Sequence, residues 1–396
     1  MTQFISGLQL NEMFYREAVA PILSAAFPEL RYSAALIGHG SDVLGYDSER
    51  STDHEWGPRL LIFLPEKDFR EQADSISEIL SARLPPEFRG YSTNFAEPHE
   101  NRVRWMVPAE SGQVQHHVYF HTVREFIGNY LGIDPRCTPT TVDWLLMYQN
   151  ALLEITGGAV YHDGLGALVP IRQRFAWYPR DVWLFMLASQ WIRIEQEEPF
   201  PSRCGEGGDE LGARINTARL VRDVMKLCFL IEGRYAPYSK WLGTAFSRLN
   251  CANELEPLLR TAVAATTWQS REQHLCAAFE VVARMHNAVG LFATLDTGTM
   301  SFHTRPYRVL GAGRFAKAVS DEICDESLRR IYATVGPIGS IDQFADSTDL
   351  LMRSDLRARL KVLFETAIHQ SDGAGFETTT HKGSLAERAF SWMRHR

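Results

Sequence analysis

The chain has 396 residues, more than one ordinary core spans, and its 45% hydrophobic and 11% aromatic content excludes wholesale disorder. A net charge of −7, with no run of five like charges and no lysine-rich arm, argues against electrostatically driven binding to bulk nucleic acid. Six cysteines, at 137, 204, 228, 251, 276 and 324, never form a C-x-x-C pair, which excludes a zinc ribbon or a small disulfide scaffold. No basic-then-apolar leader is visible, and no apolar run reaches the roughly 18 residues of a membrane span. The expectation is a cytoplasmic protein with reduced thiols and no membrane partner.

Leu10, Phe14, Ala18, Ile22 and Leu23 recur at helical spacing and lead into a short apolar run, SAALIG. RLLIFL (residues 59–64) is strand-length and ends at Pro65. Phe69, Ala73, Ile76, Ile79 and Leu80 return to helical period, closed by Pro85-Pro86. VRWMV and VQHHVYFHTV (residues 103–107 and 114–123) flank a turn at Gly112 and predict a hairpin. Residues 1–138 therefore predict an α+β domain with a small mixed sheet.

From about Pro139 the character changes, and long stretches are helical in period and length. TVDWLLMYQNALLEI, RDVWLFMLASQWIRI, ARLVRDVMKLCFLIEG and EQHLCAAFEVVARMHNAVGLFA predict an α-helical bundle over residues 139–370. The polar, Gly-rich segment 199–212 predicts a mobile loop, and residues 371–396 a loose tail with a short last helix.

The segment that carries chemistry is Ile37-Gly38-His39-Gly40-Ser41, then eleven residues, then Asp53-His54-Glu55. After a strand, Gly40 lets backbone approach a ligand, and Ser41 opens a helix or turn whose free N–H groups can hold phosphate. Asp53 and Glu55 are two apart, so on a strand both carboxylates project from one face and form a Mg²⁺ platform for a nucleoside triphosphate. Two later cations suit the same ligand. Arg222 lies in a stripe with Arg219 and Lys226, and Lys240 follows Pro237 at a helix start.

A hydrophobic residue, Gly-Ser, a gap of eleven and Asp-x-Glu together resemble the signature of the nucleotidyltransferase superfamily with the polymerase-β-like fold. GSDVLGYDSERSTDHEWGPR, APYSKWLGTAF and GSIDQFADSTD are similar, more narrowly, to a nucleotidyltransferase-like domain-of-unknown-function family with a helical C-terminal domain. The resemblance extends over residues 30–350. It implies Gly40 and Ser41 on the nucleotide and Asp53 and Glu55 on Mg²⁺. ATP or another nucleoside triphosphate would pass its nucleoside monophosphate to a hydroxyl of a small molecule or protein.

Many members of that superfamily carry a third carboxylate on a later strand, whereas VQHHVYFHTV has none, so either the base comes from elsewhere or the second metal is missing. Members that modify aminoglycosides take their base from the helical domain, and WIRIEQEEPF offers Glu195, Glu197 and Glu198. On a helix, Glu195 and Glu198 share a face and Glu197 points away. The alternative is a nucleotide-binding sensor or antitoxin-like protein that keeps the fold without turnover.

Overall fold

The computed structural model describes residues 4–96, 103–109 and 112–369. The predicted tail, 371–396, lies outside the described residues.

The chain opens with α1 (Gly7–Phe14), a π-helical turn (Tyr15–Val19) and α2 (Ala20–Ala26), which run on as one helix. Pro21 lacks an N–H and crowds the preceding turn, so a wider turn just before it is a physically sensible accommodation. Strand β1 (Ser33–Leu36) follows, then a long loop, β2 (Arg59–Phe63) and the eighteen-residue α3 (Glu66–Arg83). A minimal hairpin, β3 (Glu87–Phe88) with β4 (Tyr91–Ser92), precedes β5 (His117–His121) and α4 (Val123–Leu131).

The predicted hairpin between residues 103–107 and 114–123 does not form. Met106 instead bridges antiparallel to Phe95, while β5 pairs in parallel with β2, Arg59 opposite His117 and Phe63 opposite His121. A strand pattern gives a pleat but not a partner. Here α3 supplies the crossover that a parallel pair requires.

After α5 (Thr141–Leu146) and α6 (Gln149–Thr156), the chain returns to the sheet as β6 (Ala159–Asp163), antiparallel to β1. The sheet order is β5-β2-β1-β6, so its edge comes from beyond residue 138. The arrangement is α+β, a mixed four-stranded sheet with a helical C-terminal region.

The alternation of β1 and β2 splits the core. Ala34, Leu60 and Ile62 pack with α1, α2 and α3, while Ala35, Leu61 and Phe63 face the helical region. That region comprises α7 (Leu168–Arg174), α8 (Arg180–Glu197), α9 (Phe200–Glu206), α10 (Glu210–Ile231), α11 (Ser239–Phe246), α12 (Ala252–Ala264) and α13 (Trp268–Ala288). A second small hairpin, β7 (Met300–Ser301) with β8 (Arg308–Val309), leads into α14 (Gly313–Ser320) and α15 (Glu326–Val335). The short helices α16 (Ile341–Phe344), α17 (Thr348–Met352), α18 (Ser354–Arg359) and α19 (Lys361–His369) complete the described chain. Helix α8 is apolar on nearly every side and packs against α10, α14 and α15, which makes it the axis of the bundle.

The expected mobile loop at 199–212 is helical instead. Prolines suit a first helical turn, and Pro199 and Pro201 start α9, while Asp209 accepts from the Gly212 N–H (2.8 Å) and caps α10. Among the described residues no helix is long and apolar enough to cross a membrane.

Candidate functional site

Two glycines shape the loop that leaves β1. Gly38 (φ 92°) and Gly40 (φ 142°) lie where L side chains are strained. A Cβ on Gly38 would sit 2.6 Å from the Tyr130 hydroxyl, and one on Gly40 would collide with Asp42 and Arg59. Between them, His39 donates its N–H to the Tyr130 hydroxyl (3.0 Å). Ser41 then opens a turn, not a helix, closed by the Tyr46 N–H on the Ser41 carbonyl (2.7 Å). Among the described residues no acceptor meets the N–H groups of Gly40 and Ser41. Gly40→Ala should therefore cost about 1–3 kcal/mol from backbone strain and collision, read as a lowered denaturation midpoint, with Gly45→Ala milder because its surroundings are open.

Under this turn lies a buried ion pair. Asp42 is 1% exposed, and Arg59, the first residue of β2, grips it with Nη2 on Oδ1 (2.6 Å) and Nε on Oδ2 (3.0 Å). Arg59 Nη2 also donates to the His39 carbonyl (2.9 Å). The strand that follows the turn thus fixes its shape.

The acidic pair does not sit on a strand, which corrects the sequence expectation. Residues Glu49–Asp53 form a 3₁₀ helix closed by a Ser48–Ser51 capping box; His54 is extended, and Glu55 has φ 48°. Gly57 (φ 129°) and Pro58 then delay the strand until Arg59. Asp53 is largely exposed, its Oδ1 2.9 Å from His54 Nδ1. Glu55 Oε1 accepts the Arg104 N–H (2.7 Å), and Oε2 lies 3.3 Å from His117 Nε2. Burial works to raise the Glu55 carboxyl, but His117 and the Arg104 N–H outweigh it and hold it below the usual range.

Among the described residues no three His, Cys, Asp or Glu side chains are grouped to hold a metal ion. That argues against an all-protein cage. Mg²⁺ needs less, because it takes one or two carboxylates and completes its shell with water and phosphate oxygens. Asp53 and Glu55 line the same cavity, and Glu55 is held anionic, so this donor set fits.

That cavity, about 630 Å³, lies between the β1–β2 loop and the helical region. Gly40, Ser41, Asp53 and Glu55 line one wall, and Arg222, Lys226 and Lys240 the other. Arg222 Nη1 is 3.1 Å from Asp346, and Lys226 Nζ donates to the Asp342 carbonyl (2.9 Å). Burial pushes the Asp342 carboxyl up to about 6, with Lys226 acting against it. Lys240 sits 5.0 Å from the centre of the Trp241 ring, which stacks on Tyr46 at 5.2 Å.

The α8 glutamates are elsewhere; none lines the cavity. Glu198 accepts the N–H groups of Leu310 (2.7 Å), Gly311 (3.1 Å) and Ala312 (3.2 Å) ahead of α14. Glu197 is held by Arg219 (2.9 Å), and Glu195 lies against Gly313. The helical spacing was sound, but the sides it defines face other helices.

Four residues with clear places at the cavity were not among the sequence-predicted set. These are His39, Asp42 beneath the turn, Glu154 and Asp342. Glu154 left a signal, since it is the one acid in the apolar helix QNALLEIT, and a nearly buried carboxylate there needs partners.

A family model described as "Domain of unknown function (DUF4037)" matches residues 144–242, about a quarter of the chain, from α5 to α11. The match includes Glu154, Arg222, Lys226 and Lys240 and stops short of the Gly40–Glu55 wall. No curated protein and no solved structure matches the chain.

Proposed function

We propose that the cleft is a nucleotidyltransferase site. It binds a nucleoside triphosphate, ATP or another, and transfers its nucleoside monophosphate to a hydroxyl of a small-molecule or protein acceptor, releasing pyrophosphate. The observation that carries this reading is that Gly40, Ser41, Asp53 and Glu55, near in sequence, share one cavity with cations from α10 and α11. Acidic donors on one wall and Arg222, Lys226 and Lys240 on the other match an anionic ligand that arrives with a divalent cation.

In this reading the unengaged N–H groups of Gly40 and Ser41 receive phosphate oxygens. Asp53 and Glu55 would hold Mg²⁺, whose chemistry is to neutralise charge that builds on the transferred phosphoryl group. Lys240 and Arg222 supply further positive charge.

The test is Asp53→Asn, followed by calorimetric titration with a non-hydrolysable Mg·NTP analogue. Binding should weaken at least about 10²-fold, while stability stays within about 0.5 kcal/mol because Asp53 is largely exposed. Unchanged affinity would remove the metal platform from this place. Tight binding by the parent with no pyrophosphate release from any of the four nucleotides would favour the sensor reading.

A further inference from the structure

An acceptor hydroxyl that attacks phosphorus must lose its proton, and a positioned base speeds that loss. The α8 glutamates do not reach the cavity, and β5 carries no carboxylate, its polar side chains His117, Tyr119 and His121 all lying outside the lining. The cavity contains two imidazoles beside carboxylates: His54 lies against Asp53, which this reading commits to Mg²⁺, whereas His39 lies against a carboxylate that the metal does not use. His39 Nδ1 lies 3.1 Å from Glu154 Oε1, and Glu154 is 5% exposed while the His39 side chain is largely open to the cleft.

We propose that His39 is the proton acceptor of this site and Glu154 its positioning residue, an inference that rests on the nucleotidyl-transfer reading. A carboxylate only accepts, so it fixes the His39 ring proton on Nδ1 and leaves Nε2 as the basic nitrogen. Among the described residues Nε2 has no partner. Glu154 is itself fixed, accepting the Asn150 side-chain amide (2.8 Å) on the same oxygen, while its main-chain carbonyl takes the Gly38 N–H (2.9 Å).

The groups that face His39 come from three further elements. Tyr130 of α4 packs its ring at 5.0 Å and accepts the His39 N–H. Arg59 of β2 holds the His39 carbonyl and is neutralised by Asp42. Glu154 of α6 is the carboxylate on the ring. Backbone, ring and carbonyl are thus each held, as a base that must not swing away requires.

The step balances without another reagent. The acceptor O–H proton passes to His39 Nε2 as the oxygen forms its bond to the α-phosphorus. The bond from that phosphorus to the bridging oxygen breaks, and pyrophosphate leaves with the electron pair. The imidazolium keeps its Nδ1–H on Glu154 and later returns the extra proton to solvent.

The experiment uses the full chain with Mg·NTP and water as acceptor, and reads pyrophosphate release together with affinity for the non-hydrolysable analogue. His39→Gln and His39→Ala should lose about 10²–10⁴-fold in kcat with analogue affinity within about twofold. Added imidazole should restore part of the rate to His39→Ala, and the acidic limb of the kcat–pH profile should vanish in His39→Gln. Glu154→Gln keeps a hydrogen-bonding oxygen without the charge and should lose about 10-fold or more in kcat at constant affinity.

Turnover at the parental rate in both His39 variants, with affinity intact, would overturn the base and leave the transfer reading standing. So would a loss in Asp342→Asn with His39→Gln unaffected. Equal loss of affinity and rate, without imidazole rescue, would make His39 a binding-loop residue only and overturn the proposal. A parent that binds Mg·NTP but releases no pyrophosphate overturns the base together with turnover. A parent that binds no Mg·NTP overturns the nucleotide reading as well.

Discussion

Arg59→Met should destabilise the protein by about 3–5 kcal/mol, because it strands a buried carboxylate. Asp42 is 1% exposed, and the guanidinium meets both of its oxygens; without it, the Val43 N–H (3.0 Å) is the chief remaining donor. The pair is not worth that much in itself. Most of the loss is the uncompensated charge, so the double change Asp42→Asn with Arg59→Met should be milder than the sum of the single changes, with a coupling of about 1–3 kcal/mol. Arg59→Lys keeps the charge but not the fork, and falls between. Denaturant midpoints at constant m-value measure all four. The same substitution frees the His39 carbonyl and the packing under Gly40, so nucleotide affinity should fall with it. A loss below about 1 kcal/mol in Arg59→Met would mean that water replaces the guanidinium, and that the turn does not depend on this pair.

The parts that were legible in the sequence are those fixed by neighbours along the chain. RLLIFL sends alternate side chains into two cores, so both faces are apolar and the strand shows as a short unbroken apolar run stopped by Pro65. Gly40, Ser41, Asp53 and Glu55 come to one cavity because one loop carries them all. What was not legible depends on partners chosen at a distance. Strand β5 has the expected residues but pairs with β2, and β6 is a short piece between helices whose edge place is set by β1. The α8 glutamates show the same limit. A period of 3.6 groups side chains into faces, but which face meets the cleft depends on the docking of the whole helix.

Some errors were local and avoidable. Pro199 and Pro201, then Asp209, are helix-start residues in a segment whose glycines suggested a loop. Ser48 with Ser51, and Gly57-Pro58, signalled a capped turn and a late strand around Asp53 and Glu55, against the strand their spacing suggested. The carboxylates reach the cavity all the same, since lining a cavity requires a place rather than a secondary structure.

Glu198→Ala should cost about 3 kcal/mol or more without disturbing nucleotide binding. The carboxylate accepts three backbone N–H groups of the segment before α14, at Leu310, Gly311 and Ala312, and is itself nearly buried. Each buried donor left without an acceptor costs about 1–3 kcal/mol, with water recovering part of that. Glu198→Gln keeps an acceptor oxygen and tests the charge. Burial pushes the Glu198 carboxyl from its ordinary value of 4.5 up to about 7, although the three N–H bonds pull the other way. In that window the native state holds a proton that the unfolded chain has released, so stability falls as pH rises. Glutamine has no such proton. The parent should therefore lose stability relative to Glu198→Gln between pH 5 and pH 8, seen as diverging denaturant midpoints. Parallel midpoints would mean that the N–H donors hold the carboxylate ionised throughout. A fall in turnover of about 10²-fold at unchanged stability would instead return Glu198 to the chemistry, which its place outside the cavity lining argues against.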